Sequence, residues 1–311
     1  MGLENIVIPS FVDIFLIILI AETFLGALTN VFIILVNVQA WMKGQTLNSS
    51  DHIVVALAFS NMGFSCVNAA TTIFIVFFKE ILFTNNSIFS IIYYIMSYTI
   101  FSSSWLNAWL CLFFFLKIIS FKDGCLSWLK MNISSVVPWL ILISQIISFV
   151  SCLPLIWTIT EVYADNTTTV LATNQTTKLT GYQINTLYNL YSLVINCIVP
   201  FLVVMVTTGR IITSLCSHTR HMKDNMGESG GPSLKAHQTA ARTMTSLLIL
   251  YLIFYVVEVA LGYLPMISPL YWVCFIAMAS FSTVESILLI MGNSKLKQAC
   301  EGILKHCRKT G

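Results

Sequence analysis

WLNAWLCLFFFLKIISFKDGCLSWLKMNI, residues 105–133, is the stretch whose reading decides the fold. Its first half is apolar and ends at Lys117. It then passes through a basic loop to a second aromatic and cationic step, Trp128, Leu129 and Lys130. A helix leaving a bilayer into a positive loop reads this way, with Lys117 snorkelling toward the headgroups. The surrounding chain has the same character. Of its 311 residues 57% are hydrophobic and only 9% charged, against roughly a quarter charged in soluble domains. With a mean hydropathy of +0.84, the chain has too little polar surface to face water all round.

Crossing the hydrocarbon core takes about 20 mostly apolar residues. Seven stretches qualify, near 11–38, 52–78, 88–121, 133–157, 183–216, 240–263 and 270–292. The expected fold is therefore an all-α membrane protein, a bundle of seven transmembrane helices forming one domain over 1–311, with a tail at 293–311. The first run is too long for a leader core and lacks a basic start and a small-residue cleavage site. With the N-terminus outside and the C-terminus inside, every lysine and arginine except Lys79 and Lys178 falls on the inner side, as the positive-inside rule requires.

The loop after span 4 is then external. It holds two glycosylation sequons, at Asn166 and Asn174. The inner loop 218–237, with Gly227, Gly230, Gly231 and Pro232, reads as a flexible hinge. The tail alternates cations with Leu296, Ile303 and Leu304, a pattern suited to lying on the anionic lipids of the inner leaflet, with Cys300 and Cys307 as candidates for acylation.

Nothing here reads as an enzyme. The nine cysteines show no CxxC spacing, and none lies between Pro154 and Asn196, so neither a metal site nor a disulfide framework is expected. His218 and His221 come nearest to a metal pair but lack further ligands at suitable spacing. No cofactor and no nucleic acid is called for. Polar groups within the spans carry the information instead, because they are costly there. Glu22, Gly26 and Asn30 recur every fourth residue on one face of span 1, which suits close helix contact and buried hydrogen bonding. Glu258 lies toward the outer half of span 6, where a wet cavity could hold it ionised and attract a cationic or hydrogen-bonding ligand. Glu285 is deeper and is expected to pair with Asn30 or Asn61. Tyrosines, methionines and tryptophans crowd the outer ends. Part of them forms an interfacial belt, and a subset turned inward would line an adaptable small-molecule cavity.

These residues together resemble the bitter taste receptors, the type 2 taste receptor family of G protein-coupled receptors. Glu22, Gly26 and Asn30 open the pattern. LNSSDHIVVALAFS (47–60) is similar to the family's LxSSDxILxxLAxS, and FFFLKIISF (113–121) with WLKMNI (128–133) to FYFLKIxxF and WLKxxI. SLCSHTRHM (214–222), PSLKAHQTAARTMTSLLILY (232–251) and MGNSKLKQA (291–299) match SLxxHxxxM, PSTKAHxxAxKxxxSFLxLY and LGNxKLKQA, in order and across almost the whole chain. Three departures stand out: Asn61 where the family has arginine, Glu285-Ser286 where it has HS, and Met96 and Ile100 where many members carry tryptophan and asparagine.

The resemblance implies a plasma-membrane receptor that binds bitter small molecules from outside and activates a heterotrimeric, gustducin-like G protein. Helical facing and family register together suggest a ligand site of Met96, Ile100, Tyr188, Tyr255, Glu258 and Phe275. They also suggest a G protein surface of Lys117, His218, Lys235, Ala236, His237 and Lys295, and a buried polar network of Glu22, Asn30, Asn61 and Glu285. Pairing with itself or with another receptor is left open. A rhodopsin-like receptor for another small ligand would show a DRY-like step, NPxxY and a cysteine in the second external loop. A transporter would show paired ionisable residues, broken helices or inverted repeats. The chain has neither set.

Overall fold

The third span is the strut of the bundle. In the computed structural model, which describes residues 4–78, 85–119, 124–163, 180–225, 232–264 and 268–310, seven helices are long and apolar enough to cross a membrane. They are Ile14–Met42, Ser49–Phe74, Ser87–Ile118, Ile133–Thr158, Thr186–Ser214, Ala241–Leu261 and Pro269–Gly292, spans 1 to 7 below. Span 3 is 78% buried over its most apolar stretch, against 22% for spans 1 and 6. It packs on spans 2, 4 and 5 and touches 6, while span 1 closes the ring between 2 and 7. Helices are required because lipid offers no partner for a free backbone N–H or C=O. The many exposed apolar side chains, such as Phe24, Trp139 and Val256, are what a lipid-facing surface should show. "Inner" below denotes the cation-rich end.

Local chemistry shapes each span. Span 2 begins at a capping box in which Asn48 and Asp51 bond each other's backbone N–H. Span 3 ends at Ile118, and Lys130 Nζ, from the short helix Cys125–Met131, donates to the carbonyl of Ile119 at 2.8 Å. The second cationic step of the opening stretch therefore caps the helix that the first one ends. In span 5 the segment Val194–Ile198 is a π-helix, with Val199 N donating to Val194 O. Pro200, just beyond, has no N–H to give the carbonyl four residues back and would clash with it, and the wider turn relieves both problems. Span 4 runs into a strand pair, β1 (Ile159–Tyr163) and β2 (Thr180–Ile184), antiparallel with Ile159 opposite Ile184. Beyond span 7 a separate helix, Ser294–Thr310, carries the tail.

Around Gly26, spans 1, 2 and 7 meet through small and hydroxyl-bearing side chains. A Cβ on Gly26 would lie 2.9 Å from Thr283 Oγ1 and 3.0 Å from Ser65 Oγ. Around it Thr29 and Ser286 share a 2.6 Å hydrogen bond, and Ser65 and Ser282 one of 3.1 Å. Small residues admit the backbones, and hydroxyls bond across the gap. At the inner end, a Cβ on Gly292 would come within 2.5 Å of Thr243 Oγ1, so spans 6 and 7 are equally close there. Gly26→Leu is expected to destabilise the bundle by about 1–3 kcal/mol through overpacking, with Gly26→Ala milder. Melting of detergent-solubilised protein measures this, and an unchanged midpoint for the Leu variant would refute the close contact.

Candidate functional site

Span 3 turns polar side chains toward its neighbours over residues 102–107, and together they reach spans 2, 4, 5, 6 and 7. Ser102 Oγ bonds Ser60 Oγ of span 2 at 2.7 Å and Gln145 of span 4. Ser103 Oγ donates to Asn61 Oδ1 at 3.1 Å, and Ser104 Oγ lies 3.2 Å from the Tyr255 hydroxyl. Trp105 Nε1 donates to Asn196 Oδ1, within the π-helical turn of span 5, at 3.3 Å. Asn107 Nδ2 bonds the Tyr251 hydroxyl of span 6 and donates to Glu285 Oε1 of span 7, and Tyr251 OH donates to the same oxygen at 3.1 Å.

Glu285 is thus held by neutral donors at full burial. The expected pairing with Asn30 or Asn61 is only partly met. Asn61 adjoins the carboxylate, but its Nδ2 and Glu285 Oε2 are not themselves hydrogen-bonded. Asn30 Nδ2 donates instead to Gly26 O at 2.8 Å and Ser282 Oγ at 3.2 Å. Glu22 takes part through its backbone carbonyl, which accepts from Thr283 Oγ1. Asn107 and Tyr251, the residues that bond Glu285, were not singled out by sequence reasoning. The available signal was a run of serines and an asparagine inside an apolar span, where polar groups need partners.

Outward of this layer, Ile100 and Tyr188 are buried in one cluster with Phe101, Phe254 and Phe281, and Met96 and Tyr255 pack against it. Tyr188 OH donates to Ser151 O at 3.0 Å, tying the start of span 5 to span 4. Glu258 stands on the rim, half-buried, with Cys197 Sγ 4.0 Å from its Oε2. Five of the six expected ligand residues therefore gather between spans 3, 5 and 6. The sixth, Phe275, sits apart with Leu19 and Ala279 between spans 7 and 1, because its position on span 7 faces the first helix rather than the third.

At the inner end a clasp joins four elements. Lys295 Nζ donates to Asn37 Oδ1 of span 1 at 2.9 Å and lies 3.7 Å from Asp51 Oδ2 of span 2. Asn293 Nδ2 donates to Asp51 Oδ1 at 3.1 Å, while Asn293 Oδ1 accepts the backbone N–H groups of Lys295 and Leu296, capping the tail helix. Lys295, expected on an interaction surface, is held by these partners while its side chain stays 32% exposed.

The comparisons with known proteins agree with this architecture. The family model of the taste receptor proteins (TAS2R) matches residues 7–308. The chain belongs to the taste receptor type 2 family. Its relatives include taste receptor type 2 member 40 of Gallus gallus, 27% identical over 94% of each chain. Member 39 of Homo sapiens is 30% identical over 95% of this chain and 88% of that protein, and human member 8 is 28% identical over 96% of each. The protein is a multi-pass membrane receptor rather than an enzyme, by inference one of the plasma membrane, and its relatives support a bitter taste receptor role. Among the described residues no group of His, Cys, Asp and Glu could hold a metal ion. Lys117 of the receptor is exposed at the inner end of span 3, its Nζ 5.8 Å from the centre of the Phe113 ring. His218, Lys235, Ala236 and His237 lie in helices whose side chains there fall outside the described residues, as do Asn166 and Asn174 entirely.

Glu285→Leu would leave Asn107 and Tyr251 buried without their acceptor, at a cost of about 1–3 kcal/mol for each group. Glu285→Gln keeps an acceptor oxygen and should lose less. A Leu variant that melts with the unaltered receptor would show that the carboxylate does not organise the centre.

Proposed function

We propose that this receptor binds bitter small molecules in its outer half and activates a heterotrimeric G protein of the gustducin and inhibitory type, leading to phospholipase C activity and calcium release. The observation that carries the ligand site is the gathering of Met96, Ile100, Tyr188 and Tyr255 around one aromatic cluster with Glu258 on its rim. An apolar, polarisable surface with a few polar anchors suits many small molecules of differing shape. Phe275 is the weakest member of the set, since it packs elsewhere.

Transmission follows from the polar edge of span 3. An agonist that binds one arrangement of spans 3, 5 and 6 better than another shifts the population toward it, and by no more than that difference in affinity. Tyr255 contacts Ser104, and Tyr251, one turn further in, contacts Asn107 and Glu285, so a rearrangement at the ligand site is felt at the centre. At the inner end, Lys117 and the facing ends of spans 5 and 6 with His218, Lys235, Ala236 and His237 form the coupling surface. Lys295 supports that surface from within, through its clasp on Asp51 and Asn37.

Cells expressing the chain with a gustducin-like or promiscuous G protein should release calcium in response to members of a bitter-compound panel. Tyr255→Ala should shift agonist potency, and Lys117→Ala should reduce the maximal response at equal surface expression. Silence to the whole panel, or wild-type signalling from both variants, would count against the reading. Asn166 and Asn174 are the proposed glycosylation sites. Their double change to Gln should abolish the mobility shift produced by glycosidase digestion, and a shift that persisted would place the sugar elsewhere.

A further inference from the structure

The two membrane-embedded acids of spans 6 and 7 differ in what surrounds them. Glu285 spends its Oε1 on Asn107 and Tyr251. Glu258 has, among the described residues, one polar contact, the thiol of Cys197 at 4.0 Å, and a thiol is a weak donor. A carboxylate in a bilayer needs a partner, and no lysine, arginine or histidine of the described residues supplies one to Glu258.

Its position gives it access to a ligand. Glu258 is seven residues beyond Tyr251 and three beyond Tyr255, so it shares their face of span 6, which looks into the bundle. The π-helical turn Val194–Ile198 brings Cys197 beside it, and such bulges in a helix often accompany functional sites. The titratable groups around it are neutral hydroxyls and thiols. Tyr93 of span 3 and Tyr255 lie within electrostatic range of the carboxylate, and Tyr188 lies near Tyr93. Two of these rings are set by other aromatics: Tyr93 stacks on Phe89 at 6.2 Å, and Tyr255 meets the edge of Phe201 at 6.1 Å. Tyr93 and Tyr255 pack against the same aromatic cluster, Tyr255 one turn from Glu258 on its helix, and an acid near tyrosine rings is the chemistry that receives an organic cation, because the charge pairs with the acid while its alkyl groups rest on ring faces.

The geometry points to Glu258, with Tyr93 and Tyr255, as a recognition site for agonists bearing a protonated amine or a quaternary ammonium group. This assignment rests on the outer-half site of the proposed function and narrows its ligand class.

The test compares the unaltered receptor with Glu258→Gln and Glu258→Asp, each normalised to surface label, in a calcium assay. The panel is sorted into quaternary ammonium compounds, protonated amines and neutral bitter compounds. The unaltered receptor should respond to cationic members. Glu258→Gln should raise their half-maximal concentrations by at least about tenfold, the scale of one charge-assisted contact, and neutral agonists should move far less. Glu258→Asp, which keeps the charge, should retain the cationic responses. Tyr93→Leu, read separately so that the assignment does not hang on the folding of one variant, should weaken cationic agonists more than neutral ones. Responses confined to neutral compounds, or equal shifts for both classes, would overturn the cation site while leaving the receptor reading standing. Silence of the unaltered receptor to the entire panel would overturn that reading, and this assignment with it.

Discussion

The polar edge of span 3 is the constraint on which the bundle depends. Between Ser102 and Asn107 it bonds spans 2, 4, 5, 6 and 7. In lipid, apolar packing alone does not select one arrangement of helices, because a leucine is as well solvated by acyl chains as by its neighbours. Hydrogen bonds with fixed geometry do select, and here they radiate from one helix. The high burial of span 3 and its central place are the same fact seen as area.

That arrangement explains how two departures from the family pattern fit together. Asn61 brings an amide where the motif pattern it resembles has arginine, and Glu285 brings an acid to the facing helix. The acid is received by neutral donors, Asn107 and Tyr251, and the amide oxygen of Asn61 accepts from Ser103. The carboxyl group is therefore met by dipoles converging from spans 3 and 6. The outer half of the receptor is then connected to its centre through contacts from Tyr255 to Tyr251 to Glu285, and the inner end is closed separately by the clasp of Lys295, Asp51, Asn37 and Asn293.

Much of the fold was legible because lipid imposes simple rules. Run length and the placement of lysines suffice to count spans, and the motif order identifies the family. The close contact at Gly26 was also legible, since small and polar residues every fourth position have few other uses in a membrane helix. The candidate site was legible only in part. Tyr188 and Tyr255 do meet at one aromatic cluster, as their helical facing suggested. Phe275 was placed with them but faces span 1, and a wheel drawn for one helix cannot say which neighbour each of its faces meets. Lys295 was read only as part of a coupling surface, and its clasp was not legible because its partners, Asn37 and Asp51, are more than 240 positions away.

By itself the sequence determined the membrane class, the seven spans, the family and the presence of two acids within the apolar core. Those follow from composition, periodicity and motif order, which are properties of segments. Only the tertiary structure decided what each acid does. It gave Glu285 its donors from spans 3 and 6 and left Glu258 beside a thiol, within electrostatic range of Tyr93 and Tyr255. The physical reason is that a buried polar group is defined by its partners, and in a helical bundle those partners come from other helices, whose rotation and depth no single segment records.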